Sequence, residues 1–264
     1  MTALTFLQRG GEACVLVHPK DDKHVLRVSR LNAMQQYRAM LQLEKSIYGE
    51  NKEYLCTPVE MSYRNKCFFA MSPRLECDLF DVFYKKVEVT SEQGKDIILQ
   101  VLLGVKCLQD AGYVHGDLKP ENLLITPRAN NGDKRGYHCK ITDFGFLVEA
   151  GKQVNLSKAK YPRNMKYVAP EIRDQSCEYV TTEIDIWGCG IVYYLLYYYT
   201  DENDQFSWVY NYIDESLARD IRDKIGNEDD ANFNALKLIR AMTDPVAKNR
   251  INVDGVLRSF KNYA

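Results

Sequence analysis

Glycine and proline are scarce in this sequence, 15 and 8 residues of 264, and neither forms a tract or a period. That excludes a collagen-like or low-complexity chain, and 45% apolar with 27% charged residues is the composition of an ordinary globular protein. Neither sign of charge dominates: 35 Lys and Arg face 36 Asp and Glu, a net charge of −1. A histone-like nucleic-acid binder and a polybasic membrane anchor are therefore not indicated. The longest apolar stretch, Ile186 to about Tyr199, is too short and too rich in tyrosine to span a bilayer. The start, Met1-Thr2-Ala3-Leu4-Thr5-Phe6-Leu7-Gln8-Arg9, lacks the basic flank and apolar run of a signal peptide. The eight cysteines contain no C-x-x-C pair and no histidine at metal-ligand spacing. Mostly buried free thiols in a reducing intracellular compartment are expected, not a disulfide framework or a zinc site.

Two kinds of pattern are present. Up to about residue 75, short apolar–polar runs such as Ala13-Cys14-Val15-Leu16-Val17 and His24-Val25-Leu26-Arg27-Val28 flank a turn-like His18-Pro19-Lys20-Asp21-Asp22, which predicts a hairpin. A further strand is expected at Lys66-Cys67-Phe68-Phe69-Ala70-Met71. Between them, Met34, Tyr37, Met40, Leu41 and Ile47 recur near helix spacing, which predicts a helix from about Asn32 to Tyr48. From Asp78 onward helices dominate; Ile97, Ile98, Val101, Leu102, Val105 and Leu108 line one face of a helix over Asp96–Gln109. Ser72-Pro73-Arg74-Leu75-Glu76-Cys77 reads as a hinge, because Pro73 stops the strand and Asp78 can cap the next helix. The expectation is one domain over 1–264, with a small β-rich lobe (1–75), a hinge (72–78) and a mainly helical lobe (79–264).

The chemistry concentrates in His115-Gly116-Asp117-Leu118-Lys119-Pro120-Glu121-Asn122-Leu123-Leu124-Ile125 and, downstream, Lys140-Ile141-Thr142-Asp143-Phe144-Gly145. These segments resemble the catalytic and metal-binding loops of eukaryotic-type protein kinases. Phosphoryl transfer needs a carboxylate to accept the hydroxyl proton, a cation for the transferring charge and hard oxygens for magnesium. The resemblance assigns these roles in turn to Asp117, Lys119, and the pair Asn122 and Asp143. Ala169-Pro170-Glu171, the apolar helix opening Asp185-Ile186-Trp187-Gly188-Cys189-Gly190, and Arg250 continue the same order, so the resemblance covers essentially the whole chain. It implies an α+β, bilobal protein-kinase fold, a Glu171–Arg250 ion pair, and ATP and Mg2+ as cofactors. His115 is expected to be a packing residue, and Trp187 with the tyrosines after it the core and surface of one helix.

Several positions depart from the family pattern. Its glycine-rich turn appears only as Gln8-Arg9-Gly10-Gly11-Glu12-Ala13-Cys14-Val15, which predicts a looser roof over a nucleotide. Arg27 stands where a phosphate-binding lysine is expected, replacing a compact ammonium by a wide planar fork. Glu44, the only acid in the first helix, is its expected partner. Gly10, Val15, Arg27, Glu44 and Met71 form the expected nucleotide-contacting set. Gly116 replaces the arginine that grips a phosphorylated activation loop in most regulated kinases, and Arg163-Asn164 alters the substrate-docking floor. The segment between Gly145 and Ala169 carries Lys152, Lys158, Lys160, Arg163 and Lys166 against one acid, Glu149, and holds Ser157 as a candidate for modification.

The sequence therefore reads as a serine/threonine protein kinase, the Asp-Leu-Lys-Pro-Glu-Asn form of the loop tilting it from tyrosine. Activation-loop phosphorylation is not expected to control it. The alternative is a pseudokinase scaffold or nucleotide-binding module, motivated by Arg27 and the sparse glycines. A small-molecule kinase shares the His-Gly-Asp opening but not the later motifs. The acid-rich stretch 201–230 suggests a basic protein substrate. Few residues follow Arg250, so the sequence reads as a bare catalytic domain.

Overall fold

The computed structural model describes residues 5–9, 13–18, 20–30, 32–84, 88–128, 136–153, 167–199 and 233–261. Strands β1 (Thr5–Arg9), β2 (Ala13–His18), β3 (Asp21–Ser29), β4 (Glu60–Arg64) and β5 (Cys67–Pro73) form an antiparallel sheet in the order β1-β2-β3-β5-β4. The β2–β3 turn is closed by the Asp21 carboxylate, which accepts the backbone N–H groups of Lys23 (3.0 Å) and His24 (3.2 Å). Helix α1 (Ala33–Ser46) lies across one face of this sheet, burying Ala33, Gln36, Met40 and Leu43 at helical spacing. Tyr37 stacks on Tyr63 at 6.2 Å between centroids, fixing α1 to β4. The helix is two residues shorter at its C-terminus than the periodicity suggested, and Met34 points outward.

Pro73 ends β5, and the chain enters the second half through β6 (Cys77–Asp78). Asp78 caps the short helix α2 (Leu79–Phe83) by accepting the Asp81 N–H at 2.9 Å. Helix α3 (Ser91–Asp110) opens with a reciprocal capping box between Thr90 and Gln93. Then follow β7 (Tyr113–Val114), β8 (Leu123–Pro127), β9 (Tyr137–Ile141) and β10 (Val148–Glu149). β6, β8 and β9 make a small three-stranded sheet, and β10 pairs with β7. Helices α4 (Pro170–Arg173), α5 (Glu183–Tyr199), α6 (Phe233–Met242) and α7 (Val253–Lys261) complete the helical half. The fold is α+β and bilobal, a sheet-rich part followed by a helical part.

Helix α5 is apolar on nearly every side because it is the central post of the helical half, with Ile186, Cys189, Ile191, Val192 and Leu195 inaccessible to solvent. Its Gly188 lets the loop before β8 sit directly on it. A Cβ at that position would come within 2.9 Å of the Leu118 Cβ and 3.0 Å of the Leu118 carbonyl oxygen. All eight cysteines are free thiols, five of them buried. Among the described residues, no helix is long and apolar enough to cross a membrane.

Candidate active site

The segment from His115 to Asn122 leaves β7, crosses α5 and returns as β8, and buried polar contacts hold it at both ends. Asp185, fully buried on the first turn of α5, accepts the backbone N–H of His115 (2.7 Å) and of Gly116 (2.9 Å). Two backbone donors make this carboxylate a fixed post for the loop, even though burial raises its pKa. The His115 ring is buried as well. Its Nδ1 accepts the Asp117 N–H at 3.3 Å, which leaves the proton on Nε2 to donate to the Thr142 carbonyl at 2.9 Å. Burial lowers the His115 pKa, so the ring stays neutral and ties the two motif loops together, the packing role expected of it.

Asp117, Lys119, Asn122 and Asp143 converge where those loops meet. Lys119 Nζ donates to Asp117 Oδ2 at 2.7 Å, and Asn122 Nδ2 donates to the same oxygen at 3.0 Å and to the Asp117 carbonyl at 2.7 Å. The Asp117 pKa is pushed up to about 6, first by burial and further by the nearby Asp143 charge, while Lys119 and Asn122 act against the rise. A carboxylate so placed is ionised near neutrality yet basic enough to take a proton. The Thr142 N–H donates to the Asn122 carbonyl at 2.9 Å, which couples the metal-loop strand to the catalytic loop.

Asp143 sits at φ 61°, ψ 68°, a left-handed conformation that Asp tolerates better than most residues. Its Oδ1 accepts the Gly145 N–H at 3.2 Å and is met by Arg27 Nη2 at 2.6 Å. The carboxylate that Arg27 meets is thus Asp143 and not the expected Glu44. Glu44 is exposed, because the face of α1 turned toward the sheet carries Gln36, Met40 and Leu43. Gln36 occupies the inner position: its side-chain oxygen accepts the buried Ser29 hydroxyl at 2.8 Å, and with Arg27 and Asp143 it lines a narrow recess. Cys56 also lines that recess, its thiol pushed up to about 11 by burial and so unreactive near neutrality.

The sheet register divides the expected nucleotide-contacting residues. Val15, Arg27 and Ala70 are successive cross-strand partners and share the cleft face. Met71 pairs with Leu26 and so lies on the opposite face, while Ala70 and Ser72 line the recess. Gly10 lies outside the described residues, as do Ser157, Arg163, Asn164 and the acid-rich stretch 201–230. A wider groove of about 770 Å³ opens beside α1, near Arg30, Arg38, Lys66 and Lys152, and none of the motif residues lines it.

The donor set suits magnesium, a hard cation that takes oxygen ligands. Asn122 spends its amide nitrogen on Asp117, which leaves its side-chain oxygen for a metal, and Asp143 supplies a carboxylate beside it. Farther out, Arg250 Nη1 and Nη2 donate to Glu171 Oε1 (2.8 Å) and Oε2 (3.0 Å), the ion pair implied by the resemblance.

A family model for the protein kinase domain matches residues 23–260. The chain belongs to the protein kinase family. Among its curated relatives, a cyclin-dependent kinase F-3 from Oryza sativa subsp. japonica is 33% identical over 134 residues, covering 50% of this chain and 28% of that protein. The serine/threonine-protein kinase PSK1 of Saccharomyces cerevisiae is 31% identical over 181 residues, 68% of this chain and 12% of that protein. A calcium/calmodulin-dependent protein kinase type IV from Mus musculus is 34% identical over 134 residues, 49% of this chain and 27% of its own length. The matched part of this chain thus spans less than a third of each of these relatives.

Two kinase-domain residues escape sequence reasoning. Gln36 is polar in a helix read by its apolar period. Asp185 opens a helix that the family resemblance already marked, but only the structure shows that it anchors the loop of Asp117 from inside the core.

Proposed function

We propose that this kinase domain transfers the γ-phosphoryl group of ATP, with magnesium, to a serine or threonine hydroxyl of a protein. The observation that carries the reading is the buried Asp117 carboxylate, held by Lys119 and Asn122 and influenced by the Asp143 charge. Asp117 orients the attacking hydroxyl and takes its proton, and Lys119 screens the charge that builds up on the transferring group. Asn122 and Asp143 would hold the metal through oxygen, and a bound metal would neutralise phosphate charge. The serine/threonine assignment draws support from Lys119, two residues after Asp117, and from the name of the PSK1 relative. Gly116, in place of an arginine, supports control independent of activation-loop phosphorylation. The acid-rich stretch 201–230 supports a basic protein substrate.

One observation favours a second reading, a nucleotide-binding module with little catalysis: Arg27 occupies one of the two carboxylate oxygens of Asp143, an expected metal ligand. The test is magnesium-dependent transfer from labelled ATP to a mixed protein panel, comparing the parent with Asp143→Ala and Arg27→Lys. Transfer that disappears in Asp143→Ala supports the enzyme, and faster transfer by Arg27→Lys identifies the arginine as a brake. A folded parent that transfers nothing, and gains nothing from Arg27→Lys, removes the enzyme reading.

A further inference from the structure

Arg27 is the feature of the cleft that the proposed reaction leaves unused. Its Nη2 lies 2.6 Å from Asp143 Oδ1, and among the described residues this is the only hydrogen bond its side chain makes. A guanidinium carries five N–H donors in a planar fork, so most of them remain for another acceptor. The pair is reachable from the cleft: the Arg27 side chain is 22% exposed and that of Asp143 35%. The cross-strand partners Val15 and Ala70 on either side of Arg27 are uncharged and bring no competing carboxylate to that face.

A bare carboxylate at the mouth of a phosphate site repels the ligand, and a bridging cation removes that repulsion. Here a covalently attached cation already sits on the carboxylate. We infer that this cleft binds the phosphates of a nucleoside di- or triphosphate without a divalent metal, the Arg27 guanidinium bridging Asp143 and a phosphate oxygen. The inference rests on the nucleotide-site reading above and concerns binding only. A metal that enters later has to displace Arg27 from Oδ1 or ligate the other oxygen, so magnesium adds little to ground-state affinity. A lysine at this position offers one point charge, whereas the arginine fork spans two acceptors at once.

The experiment is a fluorescence titration of the full chain with mant-ADP and mant-ATP, in excess EDTA and in excess magnesium. The parent is expected to bind with affinities within about threefold of each other in the two buffers. Arg27→Met is expected to lose about tenfold or more in EDTA, the scale of one charge-assisted hydrogen bond, and to regain part of it in magnesium. Asp143→Asn keeps the arginine and removes the charge that it neutralises, so its metal-free binding is expected to equal or exceed that of the parent. This second variant decides the matter should Arg27→Met fail to fold. A parent whose binding weakens about tenfold or more in EDTA would overturn the inference and leave the nucleotide site standing. An Arg27→Met protein that binds like the parent in EDTA, or an Asp143→Asn protein that loses metal-free binding, would overturn it equally. Failure to bind either nucleotide in either buffer would instead remove the nucleotide-site reading, and the inference with it.

Discussion

Replacing Arg250 by methionine leaves the volume roughly filled and removes five contacts at once. The side chain is completely buried beneath α5. It donates to Glu171 Oε1 and Oε2 (2.8 and 3.0 Å), to the Glu183 carbonyl (2.8 Å) and to the Asp244 carbonyl (3.0 Å). Its guanidinium also lies 5.2 Å from the ring centre of Trp187. The variant strands a Glu171 carboxylate that is only 11% exposed, together with two backbone oxygens. Breaking one side of such a pair costs about 3–5 kcal/mol, because the uncompensated charge stays buried. For a chain of this size each kcal/mol moves the melting temperature by about 2–4 °C, so a fall of roughly 10 °C is expected by calorimetry. Arg250→Lys restores one charge but not the fork, and should recover less than half of the loss. Glu171→Gln combined with Arg250→Met should cost less than the sum of the single changes, since no charge is left stranded. An Arg250→Met protein melting within about 2 °C of the parent would show that the pair is not a structural clamp, and would refute the reasoning.

Four further outcomes follow from the site. Burial holds the Asp117 pKa at about 6, so the rate of transfer should rise with pH through about 6 and then level off, as the carboxylate loses its proton and becomes a competent base; a pH–rate profile flat from 5 to 8 (roughly spanning that pKa) would contradict it. Glu44→Ala should change stability by less than about 0.5 kcal/mol, as at other exposed sites. Gln36→Leu should cost about 1 kcal/mol or more in urea denaturation, because the buried Ser29 hydroxyl loses its acceptor. Gly116→Ala should destabilise by about 1–2 kcal/mol, since φ is +78° and a Cβ would meet the Phe146 carbonyl oxygen at 3.2 Å; thermal melts check it.

The residues that the proposed chemistry uses were legible as a cluster because they lie close together in the chain. Asp117, Lys119 and Asn122 fall within six consecutive positions of one loop, and no long-range arrangement has to be guessed to bring them together. The Glu171–Arg250 pair joins distant segments and could be expected only through the family resemblance. What escaped was phase. Charge alone singled out Glu44, but a helix presents one stripe to its sheet, and that stripe is Ala33, Gln36, Met40 and Leu43. Met71 shows the same effect in a strand. With side chains alternating in period two, one step along β5 exchanges Met71 for Ala70 on the cleft face. The role of Asp185 was hidden, though the residue was marked by the resemblance, because burial for the sake of two backbone donors has no sequence signature of its own. The alternation of β2, β3 and β5, the hinge proline and the Asp78 cap were legible, since each rests on a local rule.

The left-handed backbone at Gly116 also bears on how such a domain can change over time. Any side chain at this position, next to Asp117, would project toward the Phe146 carbonyl from a dihedral that L-residues disfavour. Relieving that contact would mean turning the peptide that Asp185 grips through the His115 and Gly116 N–H groups. Substitution at 116 is thus opposed by the backbone conformation as well as by the space available. A variant library scanning this position should recover glycine far more often than any larger residue.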